Sequence, residues 1–218
     1  MRLVTVSGSH AIAELDRLRG LYQSTGLYPI LLGDAEDHTR IMDTLDESAD
    51  VTATLDESRK IDPVRWFREK PKSEPELYQS EEGEWPASPP EELGIITHQD
   101  VLTRKPKKEV LIGLLKVAAP WEVFAQLNWG GWNDCPFPAE HCAIHGYWAS
   151  LYGAEVVSIT GDVVQCVVTR PPSDRDASLR LAREQYVYCY DIVEQGVQSI
   201  AALAAGLTNS RYWYFWWD

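Results

Sequence analysis

The apolar positions divide the chain into short elements separated by breakers. Ile12, Leu15, Leu18 and Leu21 recur at spacing three with charges between them, which predicts a helix capped at Ser9 and stopped by Gly26. Residues 27–32 read as a buried strand ended by Gly33-Asp34, and residues 38–48 as a helix. The words Leu45-Asp46-Glu47-Ser48 and Leu55-Asp56-Glu57-Ser58 stand ten residues apart, and two copies do not make a repeat architecture. Asp62-Pro63 reads as an N-cap and first helical residue. In the second half, residues 110–117 form an apolar run, read as a central strand. Residues 121–129 alternate, with Trp121, Val123, Ala125, Leu127 and Trp129 on one side, which predicts a half-buried strand after Pro120. Residues 139–152 read as a helix stopped by Gly153. Two β-rich runs, 155–160 and 163–170, flank Gly161-Asp162, a hairpin signal. Ser173 is read as the cap of a helix whose wide apolar face carries Leu181, Tyr188 and Ile192 beside Ala182, Tyr186, Cys189 and Val193. Residues 199–207 supply another helix. The chain closes on residues 211–218, apolar on both faces, as expected of a strand covered on both sides.

This order predicts an α/β, or α+β-like, fold: a mixed β-sheet with helices packed on it and a buried C-terminal strand. Three regions are expected: an N-terminal α/β subregion over 1–70, an acidic proline-rich connecting segment over 71–108, and a core domain over 109–218. The connecting segment is marked by five prolines and seven glutamates within residues 71–92, a composition that favours extended, solvated chain.

Composition sharpens the division. The chain has 218 residues and a formal charge of −13. Residues 1–109 hold 14 basic and 22 acidic residues, and residues 110–218 hold 6 and 11. Seven of the nine tryptophans lie in the second half, so the large aromatics that bury most area per residue belong to the main core. The acidic balance opposes nucleic-acid binding, which needs cations to displace counterions. No run reaches the length of a membrane span and no signal peptide is visible, so a soluble, cytoplasmic protein is expected. The cysteines Cys135, Cys142, Cys166 and Cys189 form no C-x-x-C pair and are expected as buried free thiols.

Several words in the second half occur in a specific order: Gly131-Trp132-Asn133-Asp134-Cys135-Pro136, Trp148 with Tyr152-Gly153-Ala154-Glu155, Arg170-Pro171-Pro172, Leu181-Ala182-Arg183-Glu184-Gln185-Tyr186, Tyr188-Cys189-Tyr190-Asp191, Gln195-Gly196 and the terminal Trp213-Tyr214-Phe215-Trp216-Trp217-Asp218. Residues from about 110 to 218 thereby resemble the bacterial domain-of-unknown-function family 4253, common in actinobacteria. Leu27-Tyr28-Pro29-Ile30 and residues 62–67 look like its usual leader. The resemblance implies a single-domain cytosolic protein and brings no active site with it.

Three constellations are candidates for chemistry. Cys135 with His141 or His145 would make a thiolate–imidazole pair, oriented by Glu140, Glu155 or Asp191. Cys135 lies just before a helix, whose N-terminus would lower its pKa. His141 and His145, four residues apart, are a legitimate pair of metal ligands, yet the spacings to Cys142, Cys135 and Cys189 match no zinc signature. No metal and no cofactor are therefore assigned. The third is a polar set in the charge-poor half: Asn133, Asp134, Glu155, Asp162, Arg170, Glu184, Gln185, Asp191, Gln195 and Asp218. Glu184, Asp191 and Gln195 would share a helix face, and Arg170 would pair with an acid. The set reads either as a network holding sheet to helix or as a pocket near residues 130–135. Trp132, placed in a turn, is the expected aromatic anchor for a partner. The basic run 104–108 reads as a loop rather than an anion site.

The expected function is a cytosolic protein-interaction module, immunity- or antitoxin-like, that binds a basic protein partner through Trp132, Asn133, Asp134, Arg170, Glu184 and Asp191, with no role for nucleic acid or membrane. The alternative is a hydrolase using Cys135 with His141 or His145. The weight of the sequence is against an enzyme. It leaves the oligomeric state open.

Overall fold

A computed structural model describes residues 1–44 and 49–218 of the chain. Six strands, among the described residues, form one mixed sheet: β1 (Arg2–Val6), β2 (Leu27–Leu31), β3 (Val110–Lys116), β4 (Ala154–Ile159), β5 (Val163–Val168) and β6 (Tyr212–Trp216). Their order across the sheet is β1-β3-β2-β4-β5-β6. Only β2 and β4 run parallel; the other neighbours are antiparallel. β2, from the first 70 residues, lies between β3 and β4 of the second half.

The helices are α1 (Ala11–Thr25), α2 (Ala35–Thr44), α3 (Val51–Ser58), α4 (Pro63–Ser73), α5 (Val123–Leu127), α6 (Pro138–Tyr152), α7 (Arg175–Tyr188) and α8 (Ile200–Leu207), with a π-helical turn at Ile192–Val197. Strand side chains alternate between the two faces, so each face has its own apolar cluster. On one face, Ala11 and Leu15 of α1 meet Leu31, Val110, Ile112 and Val157. On the other, Tyr28 and Ile30 join Val164, Cys166, Trp213 and Phe215 beneath α5, α6, α7 and α8. This larger cluster is the main core.

Local chemistry explains most boundaries. Gly26 ends α1 in the left-handed region at φ 66, where a side chain would be strained. Asp62 accepts from the N–H groups of Val64 and Arg65, with Pro63 at the first helical position. Ser199 caps α8 by accepting from Ala202.

Several expectations are corrected. Residues 121–129 are not a strand: Pro120 opens a 3-10 turn, α5 follows, and Asn128 closes it at φ 45. Val123, Phe124, Ala125 and Leu127 are all buried and Gln126 is half-buried, and a five-residue helix buried on nearly every side has no helical period to show. Helix α7 is capped by Asp174, which accepts from Ala177, and not by Ser173. Helix α1 is preceded by a 3-10 turn at Gly8–His10 and has no cap at Ser9. The strand β1 and the helix α3, neither of them expected, complete the N-terminal elements. The helix expected over 38–48 is α2; its expected end, like the first Leu-Asp-Glu-Ser word at 45–48, lies outside the described residues.

Much of the acidic proline-rich stretch is docked rather than solvated. Ser80 N–H donates to the Tyr186 hydroxyl, Ala201 N–H donates to the Glu82 carbonyl, and Glu82 pairs with Arg183. Glu92 accepts from Ser210 and from Arg211 N–H. Gln165, buried on β5, donates to the Gly94 carbonyl and accepts from Ile96 N–H. Residues 80–96 thus form a strap along α7 and α8 that passes the start of β6 at Ser210 and Arg211 and reaches Gln165 of β5. In the basic run, Lys107 pairs with Asp34 at 2.8 Å and Asp37 at 2.7 Å.

The terminal strand is sealed on its inner face by Trp213, Phe215 and Trp217, while Tyr214 and Trp216 on the outer face are half-buried.

Candidate functional site

Helix α6 brings His141 and His145 onto one face, one turn apart, against Tyr188 at the end of α7. The Tyr188 hydroxyl lies 2.6 Å from His141 Nδ1 and 2.8 Å from His145 Nε2. Cys135 Sγ is 3.4 Å from His141 Nε2, and Cys166 Sγ is 3.8 Å from His145 Nδ1. The result is one chain, Cys135–His141–Tyr188–His145–Cys166. A hydroxyl has one proton, so it donates to one imidazole and accepts from the other. With both imidazoles neutral, every member has a partner in either direction of donation.

The surroundings are apolar. Phe124 stacks on the His141 ring at 4.6 Å between centroids, and Trp217, Trp148 and Phe215 meet the rings of His141, His145 and Tyr188 edge-on. Burial depresses both histidines: His145 is pushed down to about 3, and His141 well below the usual imidazole range, helped by His145 beside it. Burial likewise drives the Cys135 thiol far above its ordinary value, with the neighbouring Cys189 adding to the shift. This is opposite to the lowered pKa expected of a thiol ahead of a helix: loss of water outweighs the helix end. Cys135 is 4% exposed. Gly130, at φ 116, lets the turn approach this close, because a Cβ there would stand 2.7 Å from the His141 ring and closer still to the Pro136 carbonyl.

None of the expected orienting acids reaches these imidazoles. Glu140 accepts from Phe137 N–H and from Trp66 Nε1, Glu155 pairs with Arg19, and Asp191 accepts from Gln195 and from Asp218 N–H. Cys142 donates its thiol to the Trp121 carbonyl, and Cys189 donates to the Trp216 carbonyl. Among the described residues, no group of three or more His, Cys, Asp or Glu side chains is placed to hold a metal ion.

The other expected site residues scatter. Trp132 is half-buried and packs edge-on against Trp129 at 4.7 Å. Asn133 donates to the Asp218 carbonyl at 2.6 Å, and Asp134 accepts from the Tyr190 hydroxyl at 2.9 Å. Arg170 pairs with no acid here; it donates to the carbonyls of Ala149, Ser150 and Leu151, closing the C-terminus of α6. Glu184 accepts from Tyr147 and Trp148, and burial raises its pKa. Glu184 and Asp191 do not share a face, because α7 ends at Tyr188 and Asp191 opens onto the π-helical turn.

A cleft lies elsewhere, between the strap at Pro90–Gly94, the π-helical turn, α8 and β6. Its volume is about 310 Å³. Ile192, Val197, Leu203, Leu207 and Trp213 supply apolar wall, and Gln185 and Asp191 supply polar groups. Among the described residues, Glu91, Glu92 and Asp191 are the charged members of the lining, and no lysine, arginine or histidine joins them. Gln185 is 1% exposed, and among the described residues its amide nitrogen has no hydrogen-bond partner, nor has the indole nitrogen of Trp213, another residue of the lining. Buried polar groups are normally paired; Arg19, His38, His98 and Trp217 also carry a buried nitrogen without a partner, and what sets Gln185 and Trp213 apart is that both line the cleft. π-helical turns recur at functional sites. The sequence carried one sign of the place: Gln185 interrupts an apolar helix face. The strap that closes the cleft, and the hydroxyl of Tyr188 as the centre of the buried chain, carry no local sequence signal.

Comparison with known proteins adds the family. A model described as domain of unknown function (DUF4253) matches residues 111–218. These residues, just under half of the chain, are similar to that family. The match begins at the second residue of β3 and runs to residue 218, so the matched stretch contributes the buried histidine chain and the α7, α8 and β6 walls of the cleft, while the strap precedes it. No curated protein and no solved structure matches the chain.

Proposed function

We propose that this chain is a soluble, cytoplasmic protein-interaction module whose partner presents a basic segment to the cleft beside β6. The observation that carries the reading is the buried, unpaired amide of Gln185 in a cleft lined by Glu91, Glu92 and Asp191 and by no cation. A mostly apolar cavity with a few convergent polar groups is the form a binding site takes. The formal charge of −13 would favour encounter with a basic partner. The cytoplasmic assignment is supported by four free, buried cysteines, and no helix among the described residues is long and apolar enough to cross a membrane. The finer reading is an immunity- or antitoxin-like protein, for which the acidic surface is the support.

A second reading, a hydrolase, has one observation behind it: the 3.4 Å approach of Cys135 to His141. Burial of both groups weighs against it, because the nucleophile must be a thiolate.

The test is co-purification from the native host with wild-type protein and with Gly206→Phe. A Cβ at Gly206 meets the Pro90 ring at 3.5 Å, an ordinary contact, and a larger side chain projects into the cleft. Loss of the partner with Tm unchanged supports the reading. A partner held equally by both forms overturns the cleft as the binding place. Ester or peptide hydrolysis abolished by Cys135→Ser overturns the non-catalytic assignment.

A further inference from the structure

The cleft meets an edge of the sheet, not a face. Strand β6 pairs only with β5 and is the last strand in the order. Val168 N–H donates to the Arg211 carbonyl and Trp217 N–H to the Asp162 carbonyl. Residues 211 and 217 of this ladder therefore aim their main chain at β5. By the alternation of antiparallel pairing, Tyr212, Tyr214 and Trp216 aim theirs outward.

Both ends of this outward edge are closed. The Ser210 hydroxyl bonds both main-chain groups of Tyr212, with Glu92 beyond it. The Cys189 thiol donates to the Trp216 carbonyl, and Asp191 accepts from Asp218 N–H. Between these closures, among the described residues, no hydrogen bond reaches Tyr214 N–H, Tyr214 C=O or Trp216 N–H. Tyr212, Trp213, Tyr214 and Trp216 all line the cleft. Successive residues of a strand point to opposite faces, so a cavity touched by both sets lies along the edge.

We propose, resting on the reading of the cleft as a partner site, that the partner enters by β-strand addition: an extended segment of a basic protein pairs its main chain with Tyr214 and Trp216, lays an apolar side chain in the cleft against Leu203 and Leu207, and sets lysine or arginine against Glu91 and Glu92. An unpaired edge is a template for another strand, and pockets beside it read alternate side chains. The charges select this occupant over a second copy of the chain, which would bring Glu91, Glu92 and Asp191 against themselves.

The experiment selects a displayed library of random twelve-residue peptides against the full chain, then resynthesises the consensus peptide for fluorescence-polarisation titration. The expected consensus has an apolar residue with lysine or arginine near it. The decisive step is an N-methyl scan of that peptide, which removes one main-chain donor at a time and leaves the protein unaltered. Intolerance at one position, the residue whose N–H meets the Tyr214 carbonyl, with Kd raised about tenfold as expected for one lost hydrogen bond and both neighbouring positions tolerant, supports strand addition. A flat scan, a helical spacing of intolerance, or no selected peptide overturns it. So does a dimer in sedimentation that dissolves when the edge is blocked. A flat scan alongside partner capture that still depends on Gly206 removes strand addition and leaves the cleft reading standing; capture that ignores Gly206→Phe removes the cleft reading itself.

Discussion

Acid should unfold this protein through His141 and His145 well before its carboxylates matter. Both imidazoles are buried and held neutral, His145 with a pKa of about 3 and His141 well below the usual value. In the unfolded chain each takes up a proton near pH 6.5. The unfolded state therefore binds more protons across this window, and stability rises with pH. The contribution is fully present above about pH 6.5 and is lost as pH falls toward the folded pKa. Each group changes stability by about 1.4 kcal/mol per pH unit, so His145 alone removes roughly 2.7 kcal/mol between pH 6.5 and 4.5. His141 acts in the same direction. Domains of this kind are stable by about 5–15 kcal/mol, so the loss is a large fraction of the whole. For a chain of this size it lowers Tm by roughly 5–11 °C for His145 alone. Burial raises the Glu184 pKa and opposes the trend, whereas Asp34, held low by Lys107 and nearby N–H groups, adds to it at more acid pH. The assay is denaturant unfolding followed by near-ultraviolet circular dichroism, which this tryptophan-rich core supports, from pH 8 to 4.5. His145→Gln keeps a hydrogen-bonding side chain and removes one titration, so the slope should fall by about 1.4 kcal/mol per unit. A stability that is flat from pH 7 to 5, or a slope unchanged in the variant, would refute the reasoning.

Tyr188→Phe removes the hydroxyl shared by two buried imidazoles and should cost about 2–4 kcal/mol, read by denaturant midpoint; a cost under 1 kcal/mol would mean the hydroxyl is not the link between them. All four cysteines should react slowly with iodoacetamide at neutral pH until the protein is unfolded, since burial lifts Cys135 and pushes Cys142 up to about 12; a Cys135 alkylated faster than a free thiol would restore the nucleophile. Trp132→Ala should lower stability by about 2 kcal/mol through lost packing on Trp129 and leave partner capture intact; unchanged stability with lost capture would make Trp132 the anchor after all.

The fold class was legible because its strongest signals are local: β3 is a continuous apolar run, β4 and β5 flank a two-residue turn, and α4 and α6 begin at prolines. The family words fell in the same stretch. Helix α5 was not legible, since five mostly buried residues alternate by accident. The strap was not legible either, because proline and glutamate describe its composition and say nothing of the Gln165, Tyr186 and Ser210 side chains that receive it. The candidate pair was half legible. Spacing put His141 and His145 on one face of α6, but the turn at Gly130 that carries Cys135 to His141 and the tyrosine between the imidazoles are tertiary facts.

What separates the two functional readings is whether each group is satisfied, more than what each group is. Thiols and imidazoles have the residue types of catalysis, yet in this core each finds a partner and all are withdrawn from water. Asn133, Asp134, Arg170, Glu184 and Asp191 are likewise spent on main-chain or side-chain partners inside the fold. The amide of Gln185, the indole nitrogen of Trp213 and the main-chain edge at Tyr214 are of the least reactive kind, and among the described residues they are groups beside the cleft left without partners. An unmet hydrogen bond next to a cavity favours recognition, because a ligand that supplies it recovers the free energy that burial cost. On that ground the cleft, and not the cysteine–histidine chain, is the place to look for what this protein does.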